Sequence, residues 1–170
     1  MTQNASQIRS FIKKKSLQIL FGKHSVLCAL QASKRPIQMM IVREDIQLES
    51  LLNLARDKEI STLFKPKTVL DNLCGTTKHQ GVLCLLSELT KMNYESLDLD
   101  SISRLVLINK IKDPMNLGAV LRSAHFFGLN DVLVPNRYSC SLSATACKAS
   151  AGAMEFVNIY RIANTLQVLE

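Results

Sequence analysis

Short apolar runs of strand length alternate with stretches of helical periodicity twice along the chain, and this alternation limits the fold more than any other feature. In the first half, residues 17–21 form an apolar run ending at Gly22, and Val26, Leu27 and Leu30 fall at helical spacing within 24–32. Residues 37–42 read as a strand, 46–58 as a helix, 60–64 as a strand and 68–73 as a short helix. The turn Lys78-His79-Gln80-Gly81 then leads into a strand at 82–86. Residues 88–103 are polar and acidic (Glu95, Asp98, Asp100), without period, and are expected to be a linker. The alternation resumes at 105–108, a continuous apolar run of the kind buried on both faces of a parallel sheet. A helix at 117–127 with Leu117, Val120, Leu121 and Ala124 on one stripe follows, then a strand at 131–135, a short helix at 143–149 and a strand at 156–160. A further helix opens near Thr165. The pattern predicts two small α/β units, the second built on a parallel layer.

Composition narrows the function. With 47% hydrophobic residues in 170, the chain has material for a core, which excludes wholesale disorder. No apolar run reaches the ~18 residues of a membrane-spanning helix, so no membrane partner is expected. Twenty-one Lys and Arg against 14 Asp and Glu give a net charge of +7, which suits a polyanion: RNA, DNA or an anionic membrane surface. Trp is absent and aromatics are 5%, which disfavours a base-stacking platform. The five cysteines (Cys28, Cys74, Cys84, Cys140, Cys147) include no C-x-x-C, and no histidine stands at zinc spacing from a pair of them. Reduced, mostly buried thiols and no metal are expected. From Met1 to Arg43 there is no acidic residue, while Arg9, Lys13, Lys14 and Lys15 are all basic. Residues 1–18 therefore read either as a mitochondrial transit peptide or as a basic RNA-contacting arm.

Chemistry concentrates in two places. Lys112-Asp113-Pro114-Met115-Asn116-Leu117-Gly118-Ala119, running into Arg122-Ser123-Ala124, lies at the carboxyl end of a strand, where open α/β sheets place ligands. Asn116 is expected to cap the helix, Gly118 to let a backbone or ligand approach, and Arg122 to complete an anion site; an ordinary cap with a solvated arginine is the alternative. In Lys148-Ala149-Ser150-Ala151-Gly152-Ala153-Met154-Glu155, Ser150 and Gly152 can offer backbone N–H groups to a ligand, or simply make a tight helix-to-strand connection. Neither a G-x-G-x-x-G fingerprint nor a phosphate loop occurs. His24 and His79 are further candidates, the latter binding RNA or capping a strand.

Residues 113–124, with Phe127-Gly128 following, closely resemble the first motif of the SpoU (TrmH-type) 2′-O-ribose RNA methyltransferases, and residues 148–155 resemble the second. Upstream, Phe21-Gly22-Lys23-His24-Ser25-Val26 and His79-Gln80-Gly81-Val82 are similar to the family's substrate-binding domain. The wording of the motifs looks most like the mitochondrial large-subunit rRNA methyltransferases. The resemblance implies an L30e-like α/β domain at 19–88 that binds RNA through Lys23, His24, His79 and Gln80. A linker at 89–103 and the first part of a SPOUT (trefoil-knot type) parallel α/β domain at 104–170 would follow. It implies S-adenosylmethionine as cofactor, near Ser150, Gly152, Thr165 and Leu166, and a homodimer. It implies 2′-O-methylation of a guanosine in mitochondrial large-subunit rRNA, with Arg122 activating the ribose hydroxyl and Asn116 supporting it. The family's third motif does not occur within these 170 residues, so a truncated form with an incomplete cofactor pocket is expected, its apolar strands partly uncovered. The alternative is a non-catalytic RNA-binding fragment, and for location the cytoplasm.

Overall fold

Asn4 and Gln7 start the first helix by capping each other: the Asn4 side chain accepts from the Gln7 N–H at 3.1 Å, and the Gln7 side chain accepts from the Asn4 N–H at 3.0 Å. Such a reciprocal box contributes about 1 kcal/mol. The computed structural model describes residues 4–89, 92–100, 102–137, 139–163 and 165–168, and the chain divides into two compact units, residues 1–88 and 89–170.

The first unit runs α1 (Ala5–Lys14), β1 (Gln18–Phe21), α2 (Lys23–Ala32), β2 (Ile37–Arg43), α3 (Glu49–Asp57), β3 (Thr62–Lys65), α4 (Lys67–Cys74) and β4 (Val82–Leu86). Its sheet has the order β1-β4-β2-β3; β4 runs antiparallel to both neighbours, and β2 and β3 are parallel. The register sets Ile19 and Met39 beside Leu85, and Phe21 and Ile41 beside Leu83, so one face of the pleat gathers these side chains. There they pack with Leu70 and Leu73 of α4 and Ile8 of α1. The alternate residues Leu20, Met40, Val42, Val82 and Cys84 are buried on the other face, where α2 packs against β4. With both faces covered, β4 is buried at every position. The N-terminal stretch, expected as a leader or an arm, is from Asn4 a folded element of this unit.

The second unit comprises β5 (Met92–Asn93), β6 (Val106–Leu107), α5 (Pro114–Phe126), β7 (Asp131–Pro135), α6 (Ala144–Ala149) and β8 (Asn158–Ile162). Its sheet, in the order β5-β8-β7-β6, is parallel throughout. Three expectations are corrected here. The run 105–108 is not a doubly buried central strand: β6 is a two-residue strand at the sheet's edge, and both its residues are half-buried. The final apolar strand is not uncovered; β8 lies between β5 and β7, with Ile159, Tyr160 and Ile162 buried. The stretch 89–103, expected as a linker, carries β5 and a 3₁₀ turn at Tyr94–Ser96, and Met92 pairs with Tyr160.

Gly118 sets the packing of α5 on α6. A Cβ on it would meet the Ala146 carbonyl oxygen at 2.5 Å, the Ala149 Cβ at 2.5 Å and the Ser150 nitrogen at 2.8 Å. Two of these three atoms are backbone, so nothing but hydrogen fits. Beside the crossing, Leu117 and Leu121 are buried against the core.

Candidate functional site

In the first unit the two segments singled out upstream come together. The register of β1 against β4 places Phe21 opposite Leu83, and the Gly22 N–H donates to the Val82 carbonyl at 3.1 Å. The turn before β4 thus lies beside the start of α2. Gln80, at φ +56°, reaches across: its side-chain oxygen accepts from the Lys23 N–H at 2.9 Å. One of the donors left open at the start of α2 is satisfied in this way by a residue far along the chain.

Lys23 and His24 are exposed. With Leu27, Gln47, Leu48, Glu49, Ser50 and Leu51 they line an open depression of about 570 Å³ onto which α2 and α3 both begin. At its rim Lys23 adds a positive charge at the start of α2, while Glu49 in the first turn of α3 sets a negative charge against that helix's positive end.

His79 is corrected. Its side chain is 1% exposed, so it is no RNA-binding group. Nδ1 accepts from the Gly81 N–H at 2.9 Å, which leaves Nε2 to carry the proton and donate to Asp71 Oδ1 at 2.9 Å. Asp71 in turn receives Lys67 Nζ on Oδ2 at 2.7 Å. The hydrogen bond from Lys67 is the largest influence on the Asp71 carboxyl and lowers it; desolvation opposes this, and the hydrogen bond from His79 helps to keep it below its usual value. Gly81, at φ +80°, is needed as glycine: a Cβ would sit 2.1 Å from the Ile46 Cδ1. His79 is therefore the peg that fixes the turn presenting Gln80.

In the second unit the cap of α5 is also corrected. Asp113, in extended conformation at φ −89° and ψ 123°, is the N-cap, its side chain accepting from the Met115 N–H at 3.1 Å, and Pro114 takes the first helical position. Asp followed by Pro combines a strong cap with a ring that sacrifices an unneeded N–H. Asn116 is instead inside the first turn and exposed. Arg122 is exposed as well, one helical turn beyond Gly118. Six residues along an α-helix separate Asn116 from Arg122 by about 9 Å and about 120° of rotation, so the helix alone does not bring them together. Neither side chain has a hydrogen-bond or ion-pair partner among the described residues.

The bend 150–155 is an internal fastening rather than a row of open donors. Ser150 is fully buried; its hydroxyl donates to the Cys147 carbonyl at 2.7 Å and accepts from the Met154 N–H at 3.2 Å. The Ser150 and Gly152 N–H groups donate to the Ala146 and Cys147 carbonyls, at 2.9 and 3.0 Å. Glu155, 1% exposed, accepts from the Cys147 thiol at 3.4 Å. The expectation that Ser150 and Gly152 offer N–H groups to a ligand is thereby overturned: closing the α6 C-terminus consumes them. Thr165 and Leu166 follow β8; Thr165 is half-buried and Leu166 is 65% exposed.

Sequence reasoning missed Arg161, at the carboxyl end of β8. Its Nη1 donates to the Pro135 carbonyl at 3.3 Å and to the Ser139 hydroxyl at 3.1 Å, while its buried Nε has no partner among the described residues. Burial lowers the guanidinium pKa, and burial likewise pushes the neighbouring Cys140 thiol up. Only the register of β8 on β7, which sets Val134 beside Arg161, brings these residues to the carboxyl ends of the strands. Among the described residues no group of three metal-binding side chains occurs, and no helix is long and apolar enough to cross a membrane.

Comparison with known proteins agrees with this architecture. Residues 19–92 match the model for the RNA 2′-O ribose methyltransferase substrate-binding domain, and residues 103–170 match the SpoU rRNA methylase family. A putative TrmH family tRNA/rRNA methyltransferase of Staphylococcus aureus is 30% identical over 160 residues, covering 89% of this chain and 64% of that protein. Human mitochondrial rRNA methyltransferase 1 is 35% identical over 154 residues, covering 85% of this chain and 44% of the human one. This chain thus spans about two-thirds or less of the length of these relatives. Among solved structures, the AdoMet-bound rRNA methyltransferase of Sinorhizobium meliloti superposes with a TM-score of 0.73 at 17% identity, covering 95% of this chain and 59% of that one. The SpoU methyltransferase AviRb of Streptomyces viridochromogenes, solved with AdoMet, gives 0.69 at 16%, covering 95% and 60%. Two family domains matched in order, over most of the chain and on the same two units that the fold separates, show that this chain belongs to the SpoU family of RNA methyltransferases.

Proposed function

We propose that the chain serves S-adenosylmethionine-dependent 2′-O-methylation of ribose in rRNA, the first unit holding RNA through Lys23, His24 and Gln80 and the second working at the reacting ribose. The observation that carries this reading is Arg122, an exposed guanidinium without a partner among the described residues, held on the helix that follows β6. A ribose hydroxyl is a poor nucleophile; its oxygen must bond to the methyl carbon and give up its proton. A guanidinium fixed on a rigid helix meets the developing charge, or orients a neighbouring phosphate toward it, without having to reorganise. Asn116, in the first turn of the same helix, would hold the RNA from the other side. The 2′-hydroxyl is also the group that separates RNA from DNA.

S-adenosylmethionine, when bound, supplies a methyl carbon activated on a sulfonium. The residues at the carboxyl ends of β7 and β8 fit such a group: Arg161 has a buried donor without an acceptor among the described residues, suited to a carboxylate, and Leu166 offers exposed apolar surface. Thr165 stands beside Leu166. Ser150 and Gly152 would shape that pocket through the bend they close rather than donate into it. The AdoMet named in the Sinorhizobium and Streptomyces structures supports the choice of cofactor.

The finer reading is a guanosine of mitochondrial large-subunit rRNA as target, the mitochondrial matrix as location and a homodimer as the working form. The human mitochondrial relative supports it; the bacterial relatives support the cytoplasm instead. Calorimetric titration with S-adenosylmethionine, together with methyl transfer to large-subunit rRNA, tests the core of the proposal. Arg122→Ala is expected to lower transfer by about 10²–10³-fold with an unchanged melting temperature. Undiminished transfer by that variant would sink the assignment, and RNA binding without any cofactor binding would establish the non-catalytic reading.

A further inference from the structure

We infer that α1 is a fixed RNA-contacting ridge of the first unit, its basic end (Lys13, Lys14 and Lys15) seated on backbone phosphates. This rests on the proposed RNA substrate and adds a surface that lies before residue 19, where the match to the substrate-binding domain begins.

Three observations support it. The helix is fastened rather than trailing: Ile8 is 1% exposed in the core, Phe11 and Ile12 pack beside it, and Arg9 Nη2 donates to the Asn72 carbonyl near the end of α4 at 2.7 Å. Lys13, Lys14 and Lys15 are exposed, and none meets a carboxylate among the described residues. The first acidic residue of the sequence is Glu44, so nothing within the preceding 43 residues neutralises them. A basic amphipathic helix also binds anionic bilayers, but it does so by burying its apolar face among acyl chains. Here that face is already spent on the protein core, which leaves the charges available and the anchor not. Phosphates spaced along an RNA backbone match that supply, whereas a bilayer is left with surface charge alone to hold it.

Fluorescence anisotropy of the full chain with a stem-loop RNA transcript, over a range of salt, tests the ridge against a variant carrying Lys13→Gln, Lys14→Gln and Lys15→Gln. Loss of three phosphate contacts is expected to reduce the slope of log affinity against log salt by about 2, and affinity at physiological salt by about tenfold, with an unchanged melting curve. If the wild type binds and the variant keeps the full slope, the ridge is refuted while the RNA reading stands. No RNA binding by the wild type refutes the RNA reading itself. A variant that loses binding to vesicles of phosphatidylcholine and cardiolipin, but not to RNA, overturns the inference in favour of a membrane.

Discussion

The first unit is tied together by side chains, the second by the absence of one. In the first, β2 has seven residues, β4 is covered on both faces, and the Lys67–Asp71–His79–Gly81 chain of hydrogen bonds pins the turn that faces outward. In the second, both margins of the sheet are strands of two residues, and its firmest point is the helix crossing at Gly118. Neighbouring motif residues are turned in opposite senses as a result. His79 is drawn inside so that Gln80 can face outward, and Ser150 is drawn inside to close α6, while Arg122 is left in the open. A motif residue can therefore spend its polar groups on holding the fold.

Substitutions can break or sharpen this contrast. Ile8→Ala should have the largest effect, about 3 kcal/mol, because it opens a cavity where α1 meets β4 and α4. Hydrogen exchange should show lost protection in 18–86; equal loss in 131–162 would mean that the two units do not hold themselves together separately. Gly118→Ala should cost about 2 kcal/mol, since the new methyl meets backbone that cannot rotate away. Its signature is lost protection in 117–162, and an unchanged denaturation midpoint would show that the crossing has slack.

The smallest effect concerns pH. The depressed Asp71 carboxyl contributes stability that is present above the unfolded value of about 3.9 and disappears as pH falls through the lower folded value. Asp71→Asn should thus be less stable than wild type at neutral pH and should lose less on acidification. Parallel acid curves for the two proteins would remove Asp71 from the chain of bonds.

How far these features could be read beforehand follows from how local their causes are. The strands at 82–86 and 131–135 were legible because apolar runs end at Gly, Pro or polar turns, and β4 and β7 occupy those residues. Helix α1 carried a local signal too, in Ile8, Phe11 and Ile12 at helical spacing behind Asn4; the excess of lysines drew the reading toward a leader or arm instead. Asp113-Pro114 was a better cap than Asn116 on the chemistry of the first turn alone. Nothing local marks Met92-Asn93 as a strand, because two residues have no period and only pairing with β8 defines them. Nor does any local signal bury His79 between Lys78 and Gln80. Its partner Asp71 lies eight residues back in α4, out of reach of any periodic pattern in the turn, and the site at Arg161 needs the register of β8.

The arrangement around His79 makes this ring a natural spectroscopic reporter. An imidazole sealed from water, with one nitrogen locked as acceptor and the other as donor, should yield a single slowly exchanging ring proton and a nitrogen shift pattern of one tautomer. Loosening of the Gln80 turn, by a mutation or by a ligand that pries it open, would blur that signal before the rest of the sheet notices. The peg can thus announce events at the outer surface from a place no ligand reaches.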